Sequence, residues 1–217
     1  MSITIITGTG TDVGKTVAVA ALAAREVAAG RAPRVVKPAQ TGEPEGSGDV
    51  ATVQRLTGVD DLHEFARYPE PLAPATAARR AGMDLLDLGE TAGRIRALDD
   101  GRPVLVEGAG GLLVRLAEWT IADLAAELGA PVLVVTSTGL GSLNHAELTT
   151  RELARRGLEC AGLIGGSLPA EPDLATRCNA DDLPAVTGVP VRAWIPAGAG
   201  SLRRERFLAE APGWFID

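Results

Sequence analysis

Short apolar runs rich in β-branched residues alternate along the chain with longer segments in which Ala and Leu recur at helical spacing. Most of these runs show no alternation of polar and apolar positions, which predicts strands buried on both faces, as in a parallel sheet. Strands that alternate with helices predict βαβ units and a sheet covered by helices on both faces. The predicted strands are Ile3–Thr7, Arg34–Lys37, Val104–Glu107, Val132–Thr136, Ala161–Ile164 and Val191–Ile195.

The segments with helical spacing lie between these strands and after the last one. No repeat, low-complexity tract or interdomain linker interrupts the pattern, and Glu43–Gly48 is one short loop rich in Gly, Pro and Glu. We therefore predict a single α/β domain over residues 1–217. The predicted helices are Thr16–Ala29, Asp49–Leu56, Thr76–Arg80, Leu85–Leu98, Ala122–Leu128, Leu143–Arg156, Asp173–Val186 and Arg203–Ala209.

Composition is that of a globular chain and argues against disorder, collagen and coiled coil, with 46% hydrophobic and 23% charged residues. The formal net charge of −7 and the lack of a basic run argue against nucleic acid and anionic membranes as partners. No apolar stretch approaches the ~20 residues of a membrane span, and no secretory signal pattern opens the chain. Cys160 and Cys178 form no CxxC motif. A reduced, cytoplasmic protein is expected.

Lysine is scarce in this chain, which has nineteen arginines but only Lys15 and Lys37. On a solvated surface either residue serves. Lysine differs from arginine as a compact, strongly hydrated point charge, which a planar guanidinium cannot replace at every site. The two lysines therefore mark positions where chemistry is to be sought.

Lys15 lies in a glycine-rich segment, Gly8–Thr16, which reads GTGTDVGKT between a predicted strand and a predicted helix. Glycines allow successive backbone N–H groups to face a phosphate, and the helix N-terminus adds its positive dipole. Lys15 is expected to reach the β and γ phosphates and the Thr16 hydroxyl to ligate Mg²⁺. The strict pattern places Gly where Thr9 stands, so this is a lengthened variant. The motif predicts a P-loop NTPase-like fold.

Lys37 ends the second predicted strand, where open α/β sheets bind their ligands, and Pro38 is expected to stop that strand. A surface lysine beside a turn is the alternative. Asp49 follows the Gly-rich loop and starts a helix, either as a metal ligand or as a plain N-cap. Glu107 ends a buried strand and needs a partner there, either Mg²⁺ or a structural ion pair.

The segment Gly139–His145 opens a helix and contains two glycines. Such a helix start can bind an anion, whereas Ser142 or Asn144 could equally serve only as a cap. Neither His145 nor His63 lies near an acid or nucleophile motif, and we assign them no catalytic role.

These segments together resemble the dethiobiotin synthetase family. The phosphate loop is followed by KPxxTG, an aspartate, VEGAGGLLV and GLGSLNHAELT in the order of that family, and the C-terminal third matches more loosely. EGAGG combined with KPxxTG is much more specific than the phosphate loop alone. The matching segments are Gly8–Thr16, Lys37–Gly42, Asp49, Val106–Val114 and Gly139–Thr149.

The resemblance implies the penultimate step of biotin synthesis, in which 7,8-diaminononanoate, CO₂ and a nucleoside triphosphate give dethiobiotin through a carbamate and a carbamic–phosphoric anhydride. It implies a homodimer whose substrate tail is held by the neighbouring subunit. The implied catalytic residues are Lys15, Lys37 and Asp12, and the Mg²⁺ ligands are Thr16, Asp49 and Glu107. The implied nucleotide-binding residues are Thr11, Asp12, Val13, Gly14, Lys15, Thr16, Val17, Gly166, Ser167, Pro196, Ala197 and Gly198, and the substrate-binding residues are Thr41, Gly110, Gly111, Gly141, Ser142, Leu143 and Asn144.

One departure concerns the nucleobase. The family usually places an Asn just after the strand predicted at Ala161–Ile164, to read adenine, whereas this chain has Gly165, Gly166 and Ser167 there. The co-substrate is therefore ATP or another nucleoside triphosphate. Three other classes are the alternatives: the synthetase domain of cobyrinic acid amidation enzymes, the septum-site and plasmid-partition ATPases, and a catalytically inactive binding module.

Overall fold

The structure is a computed structural model that describes residues 2–216. Within that range the strands are β1 (Ile3–Gly8), β2 (Arg34–Thr41), β3 (Leu62–Tyr68), β4 (Val104–Gly111), β5 (Val132–Thr136), β6 (Cys160–Leu168) and β7 (Val191–Pro196). These seven strands form one sheet in the order β3-β2-β4-β1-β5-β6-β7, and all pairings between them are parallel. The α/β prediction with a parallel sheet is confirmed.

Helices cover both faces of the sheet, as predicted. The helices are α1 (Lys15–Ala28), α2 (Asp49–Thr57), α3 (Pro74–Ala81), α4 (Leu88–Ala97), α5 (Ile121–Leu128), α6 (Ser142–Arg155), α7 (Leu174–Thr187) and α8 (Arg204–Glu210). On one face, apolar side chains of α1, α2 and α8 pack with Ile6 of β1, and on the other face those of α4 to α7 pack with Ile3 and Ile5.

Strand β3 is absent from the sequence prediction. It lies at an edge of the sheet and carries His63, Glu64 and Arg67 among its apolar residues, and nearly all of its residues are only partly buried. An edge strand has one unpaired side, and charged side chains there discourage pairing with another chain. Because such a strand lacks a continuous apolar run, the pattern that revealed the buried strands does not reveal this one.

Pro38 does not end β2, which continues to Thr41, so that expectation is wrong. Backbone N–H groups alternate along β2: Arg34 donates to Pro103 beside β4, and Val35 donates to Asp61 beside β3. By this alternation Pro38 faces β4, but the pairing of β2 with β4 ends at Val36. The missing N–H of Pro38 therefore costs no ladder hydrogen bond.

The carboxyl ends of β1, β2 and β4 are neighbours in the sheet, and each runs into a segment that the sequence analysis singled out. Such a sheet edge is the usual ligand site of open α/β folds. None of the helices between residues 2 and 216 is both long enough and apolar enough to cross a membrane.

Candidate active site

The phosphate loop leaves β1 and enters α1 at Lys15. Gly14 is the residue before the helix and has φ of 92°, a left-handed conformation that glycine adopts without steric cost. The Nζ atom of Lys15 lies 2.8 Å from the carbonyl oxygen of Gly10, and the lysine side chain is largely buried. The loop therefore folds back over its own lysine at the N-terminus of α1.

Four charged or polar side chains from separate elements meet beside this loop. Thr16 Oγ1 lies 2.7 Å from Asp49 Oδ1 and 2.9 Å from Glu107 Oε1. Lys37 Nζ lies 2.5 Å from Asp49 Oδ2 and 3.0 Å from Glu107 Oε1, and it also donates to the carbonyl oxygen of Gly108 at 2.8 Å. The residues predicted from separate segments thus form one cluster.

The geometry of the cluster bears on the interpretations left open by the sequence. Lys37 is 3% exposed, so it is not a surface lysine. Asp49 is the first residue of α2, and Gly48 occupies the cap position, so Asp49 is not a plain N-cap. Glu107 makes an ion pair with Lys37 and also faces the Thr16 hydroxyl, so its two proposed roles are compatible.

Burial and charge pairing shift the pKa values of these groups in opposite directions. Burial raises the pKa of Glu107 to about 7, although the Lys37 ammonium opposes that shift. Burial also acts on Asp49, but Lys37 and the Thr16 hydroxyl hold its pKa below the usual value. Burial and the nearby Lys37 charge lower the pKa of Lys15. The charge of Lys37 therefore acts on the pKa values of Glu107, Asp49 and Lys15.

The oxygen atoms of Thr16, Asp49 and Glu107 fit a magnesium ion. Mg²⁺ favours hard oxygen ligands and commonly takes one or two carboxylates together with phosphate oxygens and water. Among residues 2–216 no group of three or more His, Cys, Asp or Glu side chains is arranged to hold a metal by itself. A site with two carboxylates and one hydroxyl would take its remaining ligands from phosphate oxygens and water.

Gln40 is a site residue that the sequence analysis missed. Its side chain is 5% exposed, and Oε1 accepts a hydrogen bond from the backbone N–H of Asp49 at 2.9 Å. Gln40 thereby pairs one of the backbone N–H groups at the N-terminus of α2, where Gly48 has no side chain to act as a cap. Gln40 occupies an unspecified position of KPxxTG, and its polar side chain at the end of an apolar strand is the signal that could have revealed it.

A cleft of about 450 Å³ opens beside the cluster. It brings together most of the predicted residues of the phosphate loop, both predicted carboxylates, Lys37, Thr41 and Gly110. Val13 and Gly111 do not line it, and Gly111 faces a neighbouring groove with Leu113 and Leu148. The lining residues are Thr11, Asp12, Gly14, Lys15, Thr16, Val17, Lys37, Ala39, Gln40, Thr41, Glu43, Asp49, Glu107, Ala109 and Gly110.

The predicted substrate segment Gly141–Asn144 lies outside this cleft. Gly141 is the residue before α6, and no side chain caps the helix, so neither Ser142 nor Asn144 is a cap. Ser142 is buried and its Oγ lies 3.0 Å from Nδ2 of Asn179, which also donates to the carbonyl oxygens of Thr138 and Gly139. Gly141 and Asn144 are exposed.

Gly166 of β6 packs directly against the phosphate loop. A Cβ atom at this position would stand 2.0 Å from the carbonyl oxygen of Val13. Ser167 follows with φ of 57° and is exposed, as are Pro196, Ala197 and Gly198 at the end of β7. No side chain at position 166 can therefore extend toward a nucleobase without moving the loop.

A parallel sheet whose first strand runs into a GKT loop at a helix N-terminus defines a P-loop NTPase. The AAA domain family matches residues 4–201. Similar solved structures include the septum site-determining protein MinD of Pyrococcus horikoshii, with TM-score 0.60 and 20% identity over 97% of this chain and 90% of that one. A ParA family ATPase of Chlorobium tepidum gives TM-score 0.58 and 14% identity over 98% and 88%. These likenesses concern the fold.

The sequence relatives are more specific. The ATP-dependent dethiobiotin synthetase BioD of Corynebacterium kroppenstedtii is 62% identical over 100% of this chain and 95% of its own length. The enzyme of the same name from Rhodococcus jostii is 58% identical over 99% and 95%. The chain belongs to the ATP-dependent dethiobiotin synthetase family.

Replacement of Gly166 by alanine tests the contact between β6 and the phosphate loop. The added Cβ must displace the Val13 carbonyl, so we expect Gly166→Ala to weaken binding of all nucleoside triphosphates to a similar extent, by about tenfold or more, or ~1.4 kcal/mol. Calorimetry measures this. Gly93→Ala is the matched control because its Cβ meets open space on α4, and it should leave nucleotide affinity unchanged. Unchanged nucleotide affinity in Gly166→Ala would contradict the role of this contact in supporting the phosphate loop.

Proposed function

We propose that this protein makes dethiobiotin from 7,8-diaminononanoate, CO₂ and a nucleoside triphosphate, as its relatives' name and the cleft jointly support. The observation that carries the proposal is the meeting of Lys37, Asp49, Glu107 and Thr16 beside the phosphate loop, in a chain 62% identical over its full length to a dethiobiotin synthetase. The protein is accordingly a ligase of biotin biosynthesis that forms carbon–nitrogen bonds.

The reaction proceeds in three balanced steps. One amine of the substrate adds to CO₂ and loses a proton, giving a carbamate. A carbamate oxygen attacks the γ-phosphorus, and the bond to the leaving nucleoside diphosphate breaks. The second amine then attacks the carbamate carbon and loses a proton, so that the ureido ring closes and inorganic phosphate leaves. The second step brings the negatively charged carbamate and γ-phosphate together, so positioning and charge neutralisation supply most of its catalysis.

The side chains of the cleft suit this task. Lys15 and Lys37 offer positive charge to the phosphates and the carbamate, and Thr41 with the backbone of Gly110 borders the space for the diamine. Asp12 also lines the cleft, and its backbone is left-handed with φ of 58°. We propose that its carboxylate contributes to catalysis. Mg²⁺, held by Thr16, Asp49 and Glu107, would neutralise charge on the transferred phosphoryl group.

The homodimer is part of the proposal. The start of α6, where Gly141 and Asn144 are exposed and Leu143 is partly buried, lies outside its own subunit's cleft, and a helix N-terminus favours a carboxylate. The exposed side chains of Leu113 and Leu148 beside Gly111 offer an apolar surface next to the phosphate loop. Both features support a substrate site shared between two subunits, in which the partner's helix start binds the carboxylate tail.

The fold also resembles septum-site and partition ATPases, but the loop favours the synthetase. Those regulators carry a second signature lysine early in the phosphate loop, and here Gly8, Thr9 and Gly10 occupy that stretch. A catalytically inactive binding module does not require the buried charges around Lys37, which are costly to maintain without a ligand.

The direct test is phosphate release from ATP and Mg²⁺ in the presence of bicarbonate. We expect release to require 7,8-diaminononanoate and to be accompanied by dethiobiotin. Lys37→Gln should lower kcat by about 10²–10³-fold because one preorganised charge is lost, whereas Arg31→Gln, which removes an exposed charge, should not. Melting curves with and without Mg²⁺ and nucleotide separate misfolding from loss of chemistry. Diamine-independent phosphate release contradicts the proposed function.

Nucleotide selectivity should be relaxed. The segment after β6 offers Gly166 and Ser167, the segment after β7 offers mostly backbone, and Asn179 is already bound to the start of α6. Affinity therefore comes mainly from the triphosphate, and we expect CTP, GTP and UTP to support turnover within about tenfold of ATP, or ~1.4 kcal/mol. Steady-state kinetics with each of the four nucleotides measure this. A preference for ATP of about a hundredfold would reveal an adenine-reading group instead.

A shared site predicts complementation between inactive variants. Lys15→Ala should destroy the site in its own subunit, and Asn144→Ala should destroy the site to which its helix contributes. In a mixed dimer one site carries both defects and the other carries neither, so mixing the variants should restore part of the activity. Sedimentation establishes the dimer. A fully active monomer would refute the shared site.

A further inference from the structure

The segment Gly42–Gly48 connects β2 to α2 and forms one wall of the cleft. Thr41 and Glu43 line the cleft at one end of the segment, and Asp49 lines it at the other. Residues 43–46 are exposed, and Gly42, Gly46 and Gly48 have φ of 73°, 82° and 102°. A surface segment rich in glycine is easily deformed, yet it must hold a predicted metal ligand in place.

Arg67 of β3 fastens both ends of this segment. One guanidinium nitrogen, Nη1, donates to the carbonyl oxygens of Glu43 and Pro44 at 2.9 and 2.8 Å. The other, Nη2, donates to the carbonyl oxygen of Ser47 at 3.0 Å. Three carbonyl groups of the segment are thereby tied to the edge of the sheet.

Glu64 holds the guanidinium in the required orientation. Its carboxylate receives two hydrogen bonds from Arg67, from Nε at 2.7 Å and from Nη2 at 2.7 Å. Both side chains are partly buried, with 25% and 18% of their side-chain surface exposed. Such a bidentate pair fixes a plane, and a planar fork with five donors can serve a carboxylate and several carbonyls at once.

We infer that Arg67 is a positioning residue for the substrate and metal sites. It does not line the cleft itself, and it acts through the Gly42–Gly48 segment, which it holds so that Thr41, Glu43 and Asp49 keep their places. Lysine cannot replace it, because a single ammonium lacks the planar fork that reaches all of these acceptors. The inference rests on the proposed function, since the diamine and Mg²⁺ are the ligands affected.

The test compares Arg67→Met and Arg67→Lys with Arg80→Met. Arg80 is an exposed arginine on α3 that also pairs with a carboxylate, Glu70, but none of the hydrogen bonds described for it reaches the segment. We expect both Arg67 variants to raise KM for diaminononanoate and the half-saturating Mg²⁺ concentration about tenfold, with kcat changed by less than about threefold. Arg80→Met should change none of these.

Amide hydrogen exchange gives a measurement that needs no turnover. Exchange in residues 42–48 should increase in both Arg67 variants, while exchange in α1 stays as in the wild type. An inactive wild-type protein contradicts the proposed function but leaves this measurement intact. Unchanged exchange in residues 42–48 overturns the inference. A fall in kcat and melting temperature with unchanged KM and Mg²⁺ dependence also overturns it, because that result indicates a merely structural role.

Discussion

A carboxylate buried beside a phosphate loop is the constraint around which this site is built. Glu107 is 1% exposed at the carboxyl end of β4, and an unpaired charge there would cost several kcal/mol, on the order of the 3–5 kcal/mol known for broken buried pairs. Lys37 of β2 pairs with it, because Val36 and Val106 are the last paired residues of the two strands and Lys37 and Glu107 follow them directly. Thr16, in the first turn of the helix α1 that follows β1, donates a hydrogen bond to Glu107.

The same lysine ties the site together electrostatically. Lys37 keeps the pKa of Asp49 low despite its burial and contributes to lowering the pKa of Lys15. Two lysines and two carboxylates thus lie together at the centre of the site, and Asp12 and Glu43 also line the cleft. A divalent cation bound with an anionic nucleotide offsets part of the nucleotide's negative charge, which suits a reaction that gathers phosphate and carbamate.

Backbone contacts set a second limit on the site. Because Gly166 touches the Val13 carbonyl, the end of β6 supports the phosphate loop. The side-chain amide of Asn179 donates hydrogen bonds to the carbonyl oxygens of Thr138 and Gly139 and to the hydroxyl of Ser142, at the start of α6. At this end of the sheet the polar side chain of Asn179 therefore positions a loop.

The sequence by itself determined the six buried strands, the helices between them, the phosphate loop and the identity of Lys15, Lys37, Asp49 and Glu107. These follow from local patterns, since burial on both faces gives a continuous apolar run and a phosphate loop is contiguous in the chain. Only the tertiary structure decided that Lys37 bridges both carboxylates, that Pro38 is tolerated inside β2, and that Gln40 and Arg67 hold the segment before Asp49. Those contacts depend on which strands are neighbours and in what register, and the edge strand that carries Arg67 has too mixed a pattern to be recognised before its neighbour is known.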